Sequence, residues 1–198
     1  MWAIVPVKPF RLAKSRLAHV LSDAARKDLV QRMLEHTLQI LGECRPPLEG
    51  TLVVSRDPVA LSLARHHAAV PLAETGREGL NAALVQAIHE AERRRAQGIL
   101  IVPADLPRLS ADALREVLDQ LPAAPGVVVA PDPREEGTNV LALRPCDVLE
   151  PAFGPGSFRR HCAEGRKRNA YVVVVRSAAL ALDVDTPEDL QQARDILS

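Results

Sequence analysis

Three groups of residues in this 198-residue chain have types and spacings that could do chemistry. Ile99-Leu-Ile-Val-Pro-Ala-Asp105-Leu-Pro107 is an apolar run ending in a carboxylate between two prolines. In open α/β sheets ligands collect in the crevice outside the carboxyl ends of the strands, where Asp105 would project; a turn aspartate with no further task is the competing account. Leu180-Ala-Leu-Asp183-Val-Asp185-Thr-Pro-Glu-Asp189 reads as a second strand end with acids at alternate positions. Alternate strand residues share a side, so Asp183 and Asp185 would converge. Carboxylates brought together repel, and a hard divalent cation such as Mg²⁺ is a usual reason to tolerate that. Capping of the following helix explains Thr186 to Asp189 better than it explains Asp183.

The third group is basic. Lys8, Arg11, Lys14 and Arg16 place four cations in nine residues directly after the first apolar run, and no acid precedes Asp23. Such a loop suits a polyphosphate, with side-chain cations as charge donors; a merely solvated basic loop is the alternative. Two further segments accompany these groups. Glu135-Glu-Gly137-Thr138-Asn139 is one; Phe153-Gly154-Pro-Gly156-Ser157-Phe-Arg159-Arg160-His161 is the other, a tight turn leading into a helix. Cations in a first helical turn oppose the helix dipole unless an anion sits on that N-terminus.

The elements that must position these residues show in the apolar pattern. Strands are predicted at Trp2–Val7, Thr51–Ser55, Val70–Leu72, Ile99–Val102, Val127–Ala130, Asn139–Leu143, Val172–Val175 and Leu180–Asp183. Helices are predicted at Ala24–Leu41, Pro58–His67, Asn81–Arg95, Ala111–Leu121, near Phe158–Gly165, and at Pro187–Leu197. That alternation defines a largely parallel α/β sheet with helices on both faces. Ser22, Asn81 and Ser110 stand at N-cap positions, and Thr186-Pro187 caps and opens the last helix. The least regular stretch runs from Pro131 to Ser157.

Composition narrows the function classes. With 25 Lys+Arg against 25 Asp+Glu the net charge is zero, which removes the electrostatic case for a nucleic-acid or membrane-surface binder. Five aromatic residues leave no stacking platform for single strands and put the core in the hands of Leu, Val, Ile and Ala. Cys44, Cys146 and Cys162 are widely spaced and suit a reduced, cytoplasmic protein without structural zinc. The opening Met-Trp-Ala-Ile-Val-Pro-Val reads as a strand, being too short for a membrane span and lacking the basic start of a signal segment.

Taken in order, Val5-Pro-Val-Lys-Pro9, Ala13-Lys-Ser-Arg-Leu17, Gly79-Leu-Asn-Ala-Ala-Leu84, Pro103-Ala-Asp-Leu-Pro107, Gly137-Thr-Asn139, Phe153-Gly-Pro-Gly-Ser-Phe158 and Leu182-Asp-Val-Asp-Thr-Pro-Glu-Asp-Leu190 cover nearly the whole chain. This series resembles the 2-phospho-L-lactate guanylyltransferase family, whose relatives use phosphoenolpyruvate or 3-phospho-D-glycerate in coenzyme F-420 biosynthesis. The resemblance implies a single Rossmann-like nucleotidyltransferase domain over 1–198, of the GT-A/MobA-like kind, with an irregular acceptor-side region at about 131–170. It implies GTP and a small phosphorylated carboxylic acid as partners, no nucleic acid and no membrane, and leaves a homodimer open. Asp105, Asp183 and Asp185 would hold Mg²⁺, and Asp105 and Lys14 would be catalytic. Lys8, Arg11, Lys14, Arg16 and Asn81 would face the nucleotide, while Thr138, Gly154 and Ser157 would hold the acceptor. A nucleotidyltransferase with another acceptor, or a nucleotide-binding regulator, would share many of these features. The sequence departs from the pattern where Pro6 and Pro9 remove amide donors from the first loop, and where Glu135 and Glu136 stand before Gly137 in place of an expected glycine.

Overall fold

The computed structural model describes the backbone of residues 1–197 and the side chains of residues 1–193. Seven strands form one sheet: β1 Trp2–Val7, β2 Gly50–Ser55, β3 Val70–Ala73, β4 Ile99–Ile101, β5 Gly126–Pro131, β6 Thr138–Arg144 and β7 Tyr171–Val174. Their order is β3-β2-β1-β4-β6-β5-β7. β1 pairs in parallel with β2 and β4, β2 with β3, and β5 with β7; β6 runs antiparallel to both its neighbours. The sheet is therefore mixed but mostly parallel, as the strand and helix alternation predicts.

The helices are α1 Asp23–Glu43, α2 Pro58–His66, α3 Leu80–Arg93, α4 Ala111–Asp119, α5 Ser157–Lys167, the one-turn α6 Ala178–Ala181 and α7 Pro187–Leu197. They cover the sheet on two sides because successive strand residues face opposite ways. Along β1, Ala3, Val5 and Val7 join the core with Leu34, Leu100 and Leu114, whereas Trp2 and Ile4 join a second core with Leu84, Ile88 and Leu141. Each fully buried Leu or Ile contributes about 1.5–3 kcal/mol, so a nearly phenylalanine-free interior suffices. No described helix is long and apolar enough to cross a membrane.

The caps largely follow the sequence. Ser22 Oγ accepts from the Ala25 amide and Ser110 Oγ from the Ala113 amide. Thr186 Oγ1 accepts from the Asp189 amide while Asp189 Oδ2 accepts from the Thr186 amide, a reciprocal cap. Asn81 is a correction: Gly79, with φ 130°, is the N-cap of α3, and Asn81 lies one residue inside the helix.

The predicted strand at Leu180–Asp183 is a second correction. Ala178-Ala-Leu-Ala181, made of strong helix formers, closes a single helical turn, and the chain then runs extended through Leu182. The carbonyls that a strand would offer to a neighbour are taken by a side chain instead: Asn139 Nδ2 donates to Leu180 O at 2.8 Å and to Ala181 O at 2.9 Å. Asp183 and Asp185 thus reach the site on a loop anchored at two points, the second being the Val184 amide donating to Asp105 O at 3.2 Å.

Candidate active site

The strand order reverses direction between β1 and β4, and the loops that leave their carboxyl ends diverge from a shared crevice. The loop after β1 forms two 3-10 turns, Phe10–Leu12 and Ser15–Leu17, with Lys14 between them at φ 52° and ψ 38°. A non-glycine residue in that left-handed region is disfavoured by about 1–2 kcal/mol, and the surroundings hold it there. The Phe10 amide donates to Asp57 Oδ2 at 2.8 Å, and the buried Phe10 and Leu17 side chains pin the turns to the core. Pro9 initiates the first turn and so helps shape a loop that presents a side chain, whereas Pro6 lies within β1, paired with Val54 of β2.

That side chain is Lys14. It is 7% exposed, and its Nζ lies 2.5 Å from Asp105 Oδ2 and 3.0 Å from Asp185 Oδ1. Burial works against the ammonium, but the two carboxylates outweigh it and hold its pKa above the ordinary lysine value. Asp183 completes the group. Burial, then the charges of Asp105 and Asp185, push its carboxyl up to about 6. The structure therefore gathers Lys14, Asp105, Asp183 and Asp185, residues up to 171 positions apart, while Lys8, Arg11 and Arg16 remain exposed on the basic loop.

Three carboxylates are the oxygen donors a hard divalent cation prefers, and the Asp183 pKa, raised first by burial and then by the charges of Asp105 and Asp185, marks a carboxylate whose charged form a cation would favour. Among the described residues, no three carboxylate, histidine or cysteine side chains are gathered as a ready-made metal site. The Lys14 ammonium lies between two of the three acids instead.

The second half of the site is built around residues 152–157. Asn81 Oδ1 accepts from the Phe153 amide at 2.8 Å and Asn81 Nδ2 donates to Phe153 O at 3.1 Å, so this side chain joins α3 to the glycine-rich turn. Gly154 (φ 117°) and Gly156 (φ 73°) adopt conformations that favour glycine. Arg160 donates to Pro155 O and Ala152 O, bracing the turn from α5. Ser157, the first residue of α5, does not cap it; its Oγ accepts from the Thr138 amide at 2.9 Å. Thr138 and Asn139, adjacent on β6, consequently serve opposite sides: Thr138 is bonded to α5 and Asn139 to the acid-bearing loop.

The missing glycine before Gly137 has a structural counterpart. Glu135 holds φ 54°, the region a glycine enters freely, and its carboxylate accepts from Arg176 Nε at 2.7 Å. Asp132 braces the same turn by accepting from the Arg134, Glu136 and Gly137 amides, and a Cβ on Gly137 would meet Asp132 Oδ2 at 2.7 Å.

His161 went unnoticed in the sequence as a site residue. It is 1% exposed, and burial and then the Arg160 charge lower its pKa to about 4. Its Nε2 accepts from the Ala152 amide at 2.9 Å, its Nδ1 lies 3.0 Å from Thr138 Oγ1, and its ring meets Phe153 edge-on at 5.1 Å. Its place four residues after Ser157, on the same helical face, was the available signal.

A mostly parallel α/β sheet whose switch-point crevice joins a buried lysine to a set of acids is the architecture of a nucleotidyltransferase. Solved structures agree on the fold: a putative nucleotide-diphospho-sugar transferase from Desulfovibrio desulfuricans G20 superposes with TM-score 0.77 at 17% identity, covering 96% of this chain and 84% of that one. A 4-diphosphocytidyl-2C-methyl-D-erythritol synthase superposes with TM-score 0.69 at 15% identity, covering 100% and 98%. Within that class the family is specific: residues 1–194 match the family described as guanylyl transferase CofC like, and the chain belongs to it. It is 43% identical over 190 residues to the phosphoenolpyruvate guanylyltransferase of Sphaerobacter thermophilus, covering 96% of this chain and 90% of that protein. It is 32% identical over 190 residues to the 2-phospho-L-lactate guanylyltransferase of Methanocaldococcus jannaschii, covering 96% and 80%.

Proposed function

We propose that this guanylyltransferase moves GMP from GTP to a phosphorylated three-carbon acid and releases pyrophosphate. The observation that carries the reading is the meeting of Lys14 with Asp105 and Asp185 at the switch point, together with the Asn81 clamp on the glycine-rich turn. The names of the relatives favour phosphoenolpyruvate or 2-phospho-L-lactate as the acceptor; 3-phospho-D-glycerate is the third candidate of the same chemistry. Any of the three places the enzyme at the guanylylation step of coenzyme F-420 biosynthesis.

A phosphate monoester is largely dianionic near neutral pH, so its oxygen attacks the α-phosphorus of GTP without a general base or a covalent protein intermediate, and pyrophosphate leaves in line. Positioning and charge neutralisation then carry the rate. Lys14 supplies fixed positive charge beside the transferring phosphoryl group, and Lys8, Arg11 and Arg16 attract the triphosphate at the mouth. Asp105, Asp183 and Asp185 would hold Mg²⁺. That ion would neutralise charge on the phosphates and orient them. Thr138, Gly154 and Ser157 would receive the acceptor.

A matrix of GTP, ATP and CTP against the three acids, assayed for pyrophosphate with Mg²⁺ present, tests this. GTP with one of the acids should stand at least about tenfold above every other nucleotide with that acid. Silence with all three acids, or equal use of ATP, counts against the reading.

A further inference from the structure

The ring of His161 is buried between three segments whose hydrogen bonds leave it one protonation state. The Ala152 amide can only donate, so Nε2 must accept. The neutral ring then carries its proton on Nδ1, and Nδ1–H donates to Thr138 Oγ1. Thr138's hydroxyl oxygen is thereby engaged as an acceptor, and its own proton is left to point elsewhere. The same logic runs one step along the chain, since Ser157 Oγ accepts from the Thr138 amide. In each of these two buried hydroxyls an obligate protein donor occupies an acceptor lone pair, which leaves the hydroxyl's own proton to be given to another group beside the first turn of α5.

We infer that His161 is a positioning residue for acceptor recognition: through its Nδ1–H it fixes the Thr138 hydroxyl as a donor, so the pocket takes an oxyanion and rejects a ligand group that must itself donate. The inference rests on the proposed function for the placement of the acceptor at Thr138, and it adds what sets that pocket's polarity. His161 touches no reacting atom. Besides Thr138 and Ala152, it meets Phe153, whose backbone Asn81 holds from the other side. A hydroxyl whose direction is set before the ligand arrives loses little freedom on binding, and the ligand recovers the full value of a charge-assisted bond.

Two substitutions separate the ring's two bonds. Asn carries its terminal nitrogen where Nδ1 stands, and Gln carries its terminal atoms nearer Nε2. His161→Asn should therefore keep the donor to Thr138, and His161→Gln should lose it. Calorimetric titration with phosphoenolpyruvate, in the presence of a non-hydrolysable GTP analogue, should give affinities about 10- to 100-fold weaker for Thr138→Val and His161→Gln, and within about threefold of wild type for His161→Asn. The double variant Thr138→Val/His161→Gln should be no weaker than Thr138→Val alone, because His161 acts through that hydroxyl. Additive losses, unchanged affinity in His161→Gln, or absence of binding to the wild-type protein overturns the inference. Non-additive losses without pyrophosphate release from GTP would leave it standing and reject the proposed reaction. ¹⁵N spectra of the wild-type enzyme read the tautomer without any variant: Nδ1–H is expected at neutral pH, and Nε2–H overturns the inference outright.

Discussion

Lys14 Nζ lies 2.5 Å from Asp105 Oδ2, and this one contact ties the loop after β1 to the loop after β4 across the switch point. The Lys14 side chain is 7% exposed, Asp105 29% and Asp185 48%, so the acids are the more open members of the group and the lysine is its most enclosed one. Removing one partner of a buried pair typically costs about 3–5 kcal/mol; solvent screening of the partly exposed acids brings this one below that range. Lys14→Met should lose about 2–3 kcal/mol in urea unfolding and about 100-fold in kcat/KM for GTP. Unchanged GTP kinetics with the stability loss intact would make Lys14 a structural pin alone.

The acids should separate by the sign of their effect on stability. Asp183 sits in its charged form against burial and two like charges, so Asp183→Asn relieves repulsion and should leave Tm equal or higher. Its turnover with Mg²⁺ should fall about 100-fold or more. Asp105→Asn should cut turnover comparably but weaken the fold, since Lys14 loses its nearer partner; the backbone bond from the Val184 amide to Asp105 O survives the substitution. Thermal unfolding beside pyrophosphate release checks both. Activity that survives in these variants sinks their assignment as Mg²⁺ ligands.

Much of this arrangement was legible in the sequence, for reasons that differ by residue. The runs at Trp2–Val7 and Ile99–Ile101 show as strands because a sheet covered on both faces needs continuous apolar sequence. Asp105, in the loop after Ile99–Ile101, is expected at the crevice from topology, with an idle turn aspartate as the competing account. Asp183 and Asp185 were found for a reason that does not hold: they converge through anchors on Asn139 and Asp105, not through strand alternation. Local composition carries no trace of a side chain 41 residues away. Asn81 is expected as a nucleotide-facing residue, but its actual partners, both backbone groups of Phe153, are hidden, and so is His161's bond to the Ala152 amide, because every residue type supplies such backbone groups. Among the four cations of the basic loop, only the left-handed turn at Lys14 singles out the one that enters the site.

Asn81 offers a test of which substrate feels the clamp. Its amide is spent on both backbone groups of Phe153, so it would act on the acceptor turn more than on the nucleotide. Asn81→Asp keeps an acceptor for the Phe153 amide but sets a carboxylate oxygen against Phe153 O. The acceptor KM should rise about tenfold, the loss of one hydrogen bond with repulsion in its place, while the GTP KM stays within about twofold. Steady-state kinetics with each substrate varied separately decide it; a rise confined to the GTP KM would assign Asn81 to the nucleotide.

His161 also predicts how the fold answers acid. Its pKa is lowered from 6.5 to about 4 in the folded chain, so between those values the unfolded chain binds a proton that the fold refuses, and stability rises with pH. The contribution is complete above about pH 6.5 and drains away as pH falls toward 4, about 3 kcal/mol in all at 1.36 kcal/mol per unit. Asp183 works in the opposite sense: its folded pKa is raised, so the fold binds more protons below about pH 6 and loses stability as pH rises through that window. The two partly cancel in the wild-type curve, which makes a difference measurement necessary. His161→Phe keeps a ring beside Phe153 and removes the titration. Urea unfolding of both proteins from pH 7 to pH 4 should show the wild-type advantage shrinking by about 3 kcal/mol, with most of the change below pH 6. A constant difference across that range would mean His161 is solvated enough to titrate normally in the fold, and the buried neutral ring would have to be abandoned.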